Sequence, residues 1–145
     1  MDTRDKFVGA WELTDWVTLL NGEFYSYPFG EGQKGRLIYG AGGNMMVILM
    51  QSDRPKFAAS MLSKGSPEEK DAAISGYVSY SGTFRTEGDR MIHSVDFSLL
   101  PNWIGTELIR TITWDEGDLI LESLPTQTRS GKVISNRLRW RRESA

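Results

Sequence analysis

The feature that most restricts what this chain can fold into is a two-residue alternation of apolar and polar side chains. It repeats in one strand-length segment after another, each broken off by turn residues, and is clearest over residues 77–114. There a first segment turns through Glu87-Gly88-Asp89 into a second. In that second segment Met91, His93, Val95, Phe97 and Leu99 share a face, and Ile92, Ser94, Asp96 and Ser98 share the other. After Pro101-Asn102-Trp103-Ile104-Gly105, a third segment aligns Leu108, Arg110, Ile112 and Trp114. One polar group in an apolar row thus occurs twice, as His93 (the only histidine) and as Arg110. Rows of this kind predict an apolar interior with a few polar groups set into it.

The same pattern runs through the rest of the chain. Residues 7–20 place Trp11, Leu13, Asp15, Val17 and Leu19 on one face and end at Asn21-Gly22, a hairpin signal because both positions tolerate positive φ. Residues 23–27 pair back, and 28–32 form a loop. Residues 35–40 and 45–52 read as strands joined by Ala41-Gly42-Gly43-Asn44. Asp53-Arg54-Pro55 breaks the sheet, and 57–62 reads as a short helix. Ser66 as N-cap, Pro67 at N1 and Glu69 at N3 start another helix, which stops at Gly76. Residues 53–76 are therefore a helical insertion, either a lid over one barrel end or a surface crossover. Strands follow at 106–114, 119–124 and 133–142, the last with Ile134, Leu138 and Trp140 on one face.

Eight to nine strands joined mostly by tight turns predict an all-β fold, an antiparallel up-and-down barrel whose closure removes exposed sheet edges. Eight strands enclose room for side chains or one small ligand. A chain of 145 residues without repeat or linker predicts one domain over 1–145. The absence of cysteine excludes disulfides, thiolate metal sites and cysteine nucleophiles. No metal is expected from one histidine and no recognisable ligand spacing, and no cofactor is expected without a dinucleotide or phosphate-binding glycine motif. A net charge of −2 argues against nucleic acid and anionic membranes as partners. No apolar run approaches the ~18 residues a membrane helix needs. The polar start of the chain, with no leader pattern, predicts the cytoplasm.

Gly9-Ala10-Trp11 resembles the G-x-W opening of lipocalins. The ordered set Phe7-Val8-Gly9-Ala10-Trp11-Glu12-Leu13, Pro28-Phe29-Gly30, Gly35-Arg36-Leu37-Ile38-Tyr39, Asp53-Arg54-Pro55, Gly76–Gly82 as G-Y-V-S-Y-S-G, and Pro101–Gly105 as P-N-W-I-G resembles the bacterial and fungal lipocalin-like domain family of intracellular type. That resemblance covers nearly the whole chain. It implies a barrel with a central cavity for small, mostly apolar molecules. Related small barrels include both carriers and cyclases or isomerases of specialised metabolism, so no single activity is implied. It also implies that a basic residue of the last strand packs over Trp11; Arg137, Arg139 and Arg141 alternate there.

His93 is the sharpest candidate for chemistry, since a neutral imidazole offers one donor and one acceptor and can move protons near neutrality. Arg110 needs a counter-charge if buried, either a carboxylate such as Asp15 or an anionic or carbonyl group of a ligand. Tyr80, aligned with Gly82 and Phe84, can orient a ligand or donate to a developing enolate. Trp11 and Tyr39 are expected cavity walls, Met46 with Met45 and Met50 an adaptable one, and Phe97 part of the His93 row. Asn102 and Trp103 are expected at a barrel mouth. The expected function is binding of a small apolar or amphipathic molecule oriented by Arg110, His93 and Tyr80. The alternative is a cofactor-independent isomerase, cyclase or dehydratase with His93 as acid/base and Tyr80 and Arg110 stabilising an oxyanion. A third reading is an interaction module with a filled barrel. A homodimer is left open.

Overall fold

The structure, a computed structural model, describes residues 3–144. Ten strands form in chain order: β1 (Gly9–Leu20), β2 (Glu23–Ser26), β3 (Lys34–Tyr39), β4 (Asn44–Met50), β5 (Tyr77–Glu87), β6 (Arg90–Ser98), β7 (Glu107–Asp115), β8 (Asp118–Ser123), β9 (Thr126–Gln127) and β10 (Val133–Arg142). They hydrogen-bond in the order β2-β1-β3-β4-β5-β6-β7-β8-β10-β9, and β1 pairs with β10. The result is a closed antiparallel barrel of eight strands, with short β2 and β9 added beside β1 and β10. The two-residue β9 is the strand that the sequence pattern is too short to show.

Alternation drives each strand inward on one side only. On β4, Met45, Val47 and Leu49 are buried while Met46 and Ile48 are exposed. The wall of the barrel is therefore Val47 and Leu49, and Met46 lies outside it, contrary to expectation. The β1–β2 turn is carried by Asn21 at φ 52° and Gly22 at φ 82°, the left-handed pair that a tight hairpin requires.

Two bulges change the parity that simple alternation predicts. On β1 the register slips between Leu13 and Asp15, leaving Thr14 as the additional residue. Trp16 is thereby turned into the core, and Asp15 stands opposite Arg139 on the outer side. Asp15 is not the partner of Arg110. On β6, Val95 pairs with Gly82 but Phe97 pairs with Ser81, so Asp96 is bulged. Phe97 is 72% exposed as a result, on the opposite face from His93. Gly82 permits this close approach: a Cβ there would lie 1.8 Å from the Ser94 carbonyl oxygen.

One end of the barrel is sealed by residues leading into β1. Phe7 is buried and accepts the Trp11 indole N–H at 2.9 Å. Arg142 covers the Trp11 ring at 4.3 Å and donates to the carbonyls of Val8 (2.7 Å) and Lys6 (2.6 Å). The basic residue over the tryptophan is thus Arg142, because β10 runs one residue further than the alternating trio. Arg139 and Arg141 instead pair with the buried Asp118 on the outside of β8.

The insertion between β4 and β5 contains a 3-10 turn at Leu62–Lys64 and α1 (Pro67–Ser75). No helix forms over 57–61, the 3-10 turn beginning only at Leu62; Phe57 instead packs its ring edge against Gly65. The capping box forms, with Ser66 Oγ accepting from the Glu69 N–H and the Glu69 carboxylate accepting from the Ser66 N–H. Glu69 also accepts from the Ala58 N–H, tying the preceding loop to α1. Among the described residues, no helix is long and apolar enough to cross a membrane.

Substituting Gly82→Ala is expected to destabilise the barrel by roughly 2–3 kcal/mol or more, since backbone rather than a flexible side chain must move. Thermal unfolding checks this; an unchanged midpoint would contradict the assigned bulge.

Candidate functional site

A cavity of about 210 Å³ lies inside the barrel. Its walls are mostly aliphatic and aromatic, and its polar groups come from successive strands: Tyr80 on β5, His93 on β6, Arg110 on β7, Ser123 on β8 and Asn136 on β10. Register accounts for this belt. Arg110 and Ser123 are direct cross-strand partners, and the Asn136 N–H donates to Ser123 Oγ at 2.8 Å. Beside Asn136, Trp16 and Thr18 both donate to its Oδ1, at 3.3 and 2.9 Å. That fixes the amide orientation and leaves the Asn136 NH2 without an acceptor among the described residues.

His93 is 2% exposed and sits between two tyrosines. Its Nε2 is 2.6 Å from the Tyr39 hydroxyl and its Nδ1 is 2.7 Å from the Tyr80 hydroxyl. Burial, with the Arg110 charge adding to it, pushes the imidazole down to about 3, so the ring is neutral at physiological pH. A neutral ring donates from one nitrogen and accepts at the other. Tyr39 is fully enclosed, and its hydroxyl has no partner besides His93 among the described residues. Its single proton must therefore go to Nε2. The other nitrogen, as Nδ1–H, donates to the Tyr80 oxygen. This assignment follows from the network and leaves the Tyr80 O–H free to donate into the cavity. Burial raises both phenols, Tyr39 most, with Arg110 acting in the opposite direction on each. Both stay protonated near neutrality.

Arg110 is half-buried and lines the cavity. It donates to the Ile109 carbonyl at 3.2 Å, and no ion pair joins it to a carboxylate among the described residues. Trp140, which also lines the cavity, carries a buried indole N–H with no acceptor among the described residues.

Several residues named from sequence thus converge: Tyr80, His93, Trp103 and Arg110 line the cavity, and Tyr39 backs it through His93. Trp103 meets Tyr80 edge-on at 5.7 Å. Trp11 is wholly buried under Arg142 and does not line the cavity, while Met46 and Phe97 are on the outer face and Asn102 is exposed on the 3-10 turn Pro101–Trp103. None of residues 53–76 lines the cavity, so the insertion is a surface crossover rather than its wall. A larger groove of about 730 Å³ lies between that insertion's loop and α1, but it opens to solvent and contains no buried residue. Sequence reading missed Trp16, Ser123, Asn136 and Trp140 as wall residues. Asn136 was detectable, being one polar residue between Ile134 and Leu138 in an apolar row, as His93 and Arg110 are in theirs. Trp16 was hidden by the β1 bulge.

The lipocalin-like domain family matches residues 8–143, the full barrel. The chain belongs to that family. A relative from Aspergillus oryzae (strain ATCC 42149 / RIB 40), named 4'-hydroxy-3'-methoxypropiophenone carrier protein ppsC, is 31% identical over 106 residues, covering 68% of this chain and 96% of the relative. In this lipocalin-like barrel, then, both the family and the carrier among its relatives support ligand binding in general.

Neutral burial of His93 has a measurable cost in acid. The unfolded imidazole takes up a proton near its ordinary value of 6.5 whereas the folded one resists until about 3, so the unfolded state binds more protons between these values. Stability is therefore expected to fall as pH falls below 6.5, by about 1.4 kcal/mol per pH unit. The depressed carboxylates Glu69, Glu107 and Asp118 add to this only in stronger acid, below their ordinary values of 4.5 and 3.8. Denaturant unfolding of wild type and His93→Gln from pH 6.5 to 5 tests it. The slope is expected to flatten in the variant, and equal slopes would rule out a neutral buried His93.

Proposed function

We propose that this protein binds one compact, mostly apolar molecule inside the barrel, an aromatic ring with short substituents, and holds an oxygen acceptor of that molecule on Tyr80 and Arg110. The observation that carries the reading is Arg110, a guanidinium facing an internal cavity without a carboxylate partner among the described residues, next to a tyrosine whose proton is free to donate. Leaving such a charge desolvated is costly unless a ligand or water group completes it. Size supports the ring. A dry cavity of roughly 150 Å³ is enough to admit benzene, and this one is about 210 Å³. A long acyl chain does not fit that volume. The phenolic aryl ketone named for the Aspergillus relative is of the same chemical kind, a ring with acceptor oxygens.

Calorimetric titration with 4-hydroxyacetophenone tests this. Arg110→Gln is expected to weaken binding about 10- to 150-fold, as loss of a hydrogen bond to a charged group does, and Tyr80→Phe about 2- to 10-fold. Phe97→Ser, on the outer face, is expected to leave affinity unchanged. Absence of binding by the wild type, or equal loss from Phe97→Ser, would refute the internal site.

A second reading, proton-transfer catalysis, is favoured by the continuous chain Tyr39–His93–Tyr80. Here Tyr80 rather than His93 would meet the substrate, with His93 accepting from Tyr39 and donating to Tyr80 to keep Tyr80 a proton donor. Exchange of deuterium into the α-carbon of the bound ketone, followed by NMR, distinguishes the two. Exchange no faster than in buffer leaves binding alone.

A further inference from the structure

The groups left unspent around the cavity are one-sided in chemistry: all of them donate. Arg110 carries guanidinium N–H groups beyond those directed at the Ile109 carbonyl and the Tyr80 oxygen. Tyr80 retains its O–H proton by the tautomer argument above. Asn136 has spent Oδ1 on Trp16 and Thr18 but not its NH2. Ser123 accepts from the Asn136 N–H, which leaves its own proton to give.

The charge balance has the same sign. Among the described lining residues Arg110 is the only formal charge and no carboxylate is present. The carboxylates of the neighbouring β8, Asp118 and Glu122, are on the outer face; Asp118 is taken up by Arg139 and Arg141, and Glu122 accepts from Ser135. On β3, β5 and β6 the titratable neighbours are Tyr39, Tyr80 and His93, all uncharged near neutrality. On β1, β4 and β10 the wall is Trp16, Val47, Leu49, Asn136, Leu138 and Trp140, none of which ionises.

From this we infer that the cavity takes its ligand as an oxyanion, with Arg110 as counter-charge and Tyr80 as second donor. The inference rests on the ring-binding reading and narrows it to rings whose oxygen ionises readily, a phenolate or a carboxylate. A neutral carbonyl oxygen meets the need for an acceptor, taking bonds from both donors, but not the need for a counter-charge. An anion satisfies both at once, and pairing with Arg110 favours ionisation as it does for a side-chain acid beside an arginine.

The test uses 4-nitrophenol, whose ionised form alone absorbs in the visible, buffered below its own pKa, with nitrobenzene as the ring that cannot ionise. Binding is followed by calorimetry and ionisation by absorbance. The wild type is expected to bind 4-nitrophenol with appearance of the phenolate band, its apparent pKa lowered by ~1–3 units. Arg110→Gln is expected to abolish the band while still binding nitrobenzene, which shows that the variant remains folded, and Arg110→Lys to restore part of it. Binding of 4-nitrophenol without the band, or with its pKa unchanged or raised, overturns the oxyanion inference and leaves ring binding standing. Failure of both probes to bind overturns the two together. Benzoate in parallel separates the two anion sources: tighter binding than 4-nitrophenol assigns a carboxylate, weaker binding a phenolate, and either supports the inference.

Discussion

Everything inside this molecule depends on the pairing of β1 with β10, which closes the sheet. The seam runs from Trp11 opposite Arg142 to Leu20 opposite Ile134. Without it the sheet would have two long edges, each a row of unpaired N–H and C=O groups, and the cavity would be a groove open to water. Closure brings Trp16 of β1 against Asn136 of β10 and so completes the polar belt that begins at Tyr80. One end of the seam is secured by side chains rather than by sheet alone. Arg142 binds carbonyls ahead of β1, and Arg36 holds Glu143 bidentately just beyond β10.

Inside a closed barrel the few polar groups matter more, because an unmet bond in low-dielectric surroundings is costly. Tyr39 and Tyr80 satisfy both nitrogens of His93, and the price of that arrangement is a histidine that cannot charge without breaking it. Arg110, beside this neutral chain, is charged and lacks a protein counter-ion among the described residues. The two halves of the belt therefore differ in role. The Tyr39–His93–Tyr80 chain is internally complete and sets the direction of the Tyr80 proton. The Arg110–Ser123–Asn136 side keeps donors that no group among the described residues accepts from.

Much of this was legible before any coordinates, and for a definable reason. Alternation at period two records which face of a strand is buried, so a polar residue in an apolar row stands out. His93, Arg110 and Tyr80 were found this way, and Asn136 obeys the same rule although it was passed over. Met46 departs from expectation because parity, not the adaptability of methionine, decides the face, and parity puts Met45, Val47 and Leu49 inside. Phe97 and Trp16 were misplaced because bulges at Asp96 and Thr14 reverse parity partway along a strand. Gly82 hints at the first of these, since glycine in a strand often marks close backbone approach. Nothing comparable marks Thr14, whose bulge is decided by how β1 must twist to meet β10.

By itself the sequence determined the order of the strands, their antiparallel turns, the capped helix of the insertion and the presence of polar groups within an apolar barrel. These are local properties: they depend on spacing along the chain, on turn residues such as Asn21-Gly22, and on the Ser66–Glu69 cap. Tertiary structure alone decided which arginine covers Trp11, which residues flank His93, and that Arg110 meets no carboxylate among the described residues. Each of those depends on register between strands far apart in sequence, where a shift of one residue exchanges the inner face for the outer.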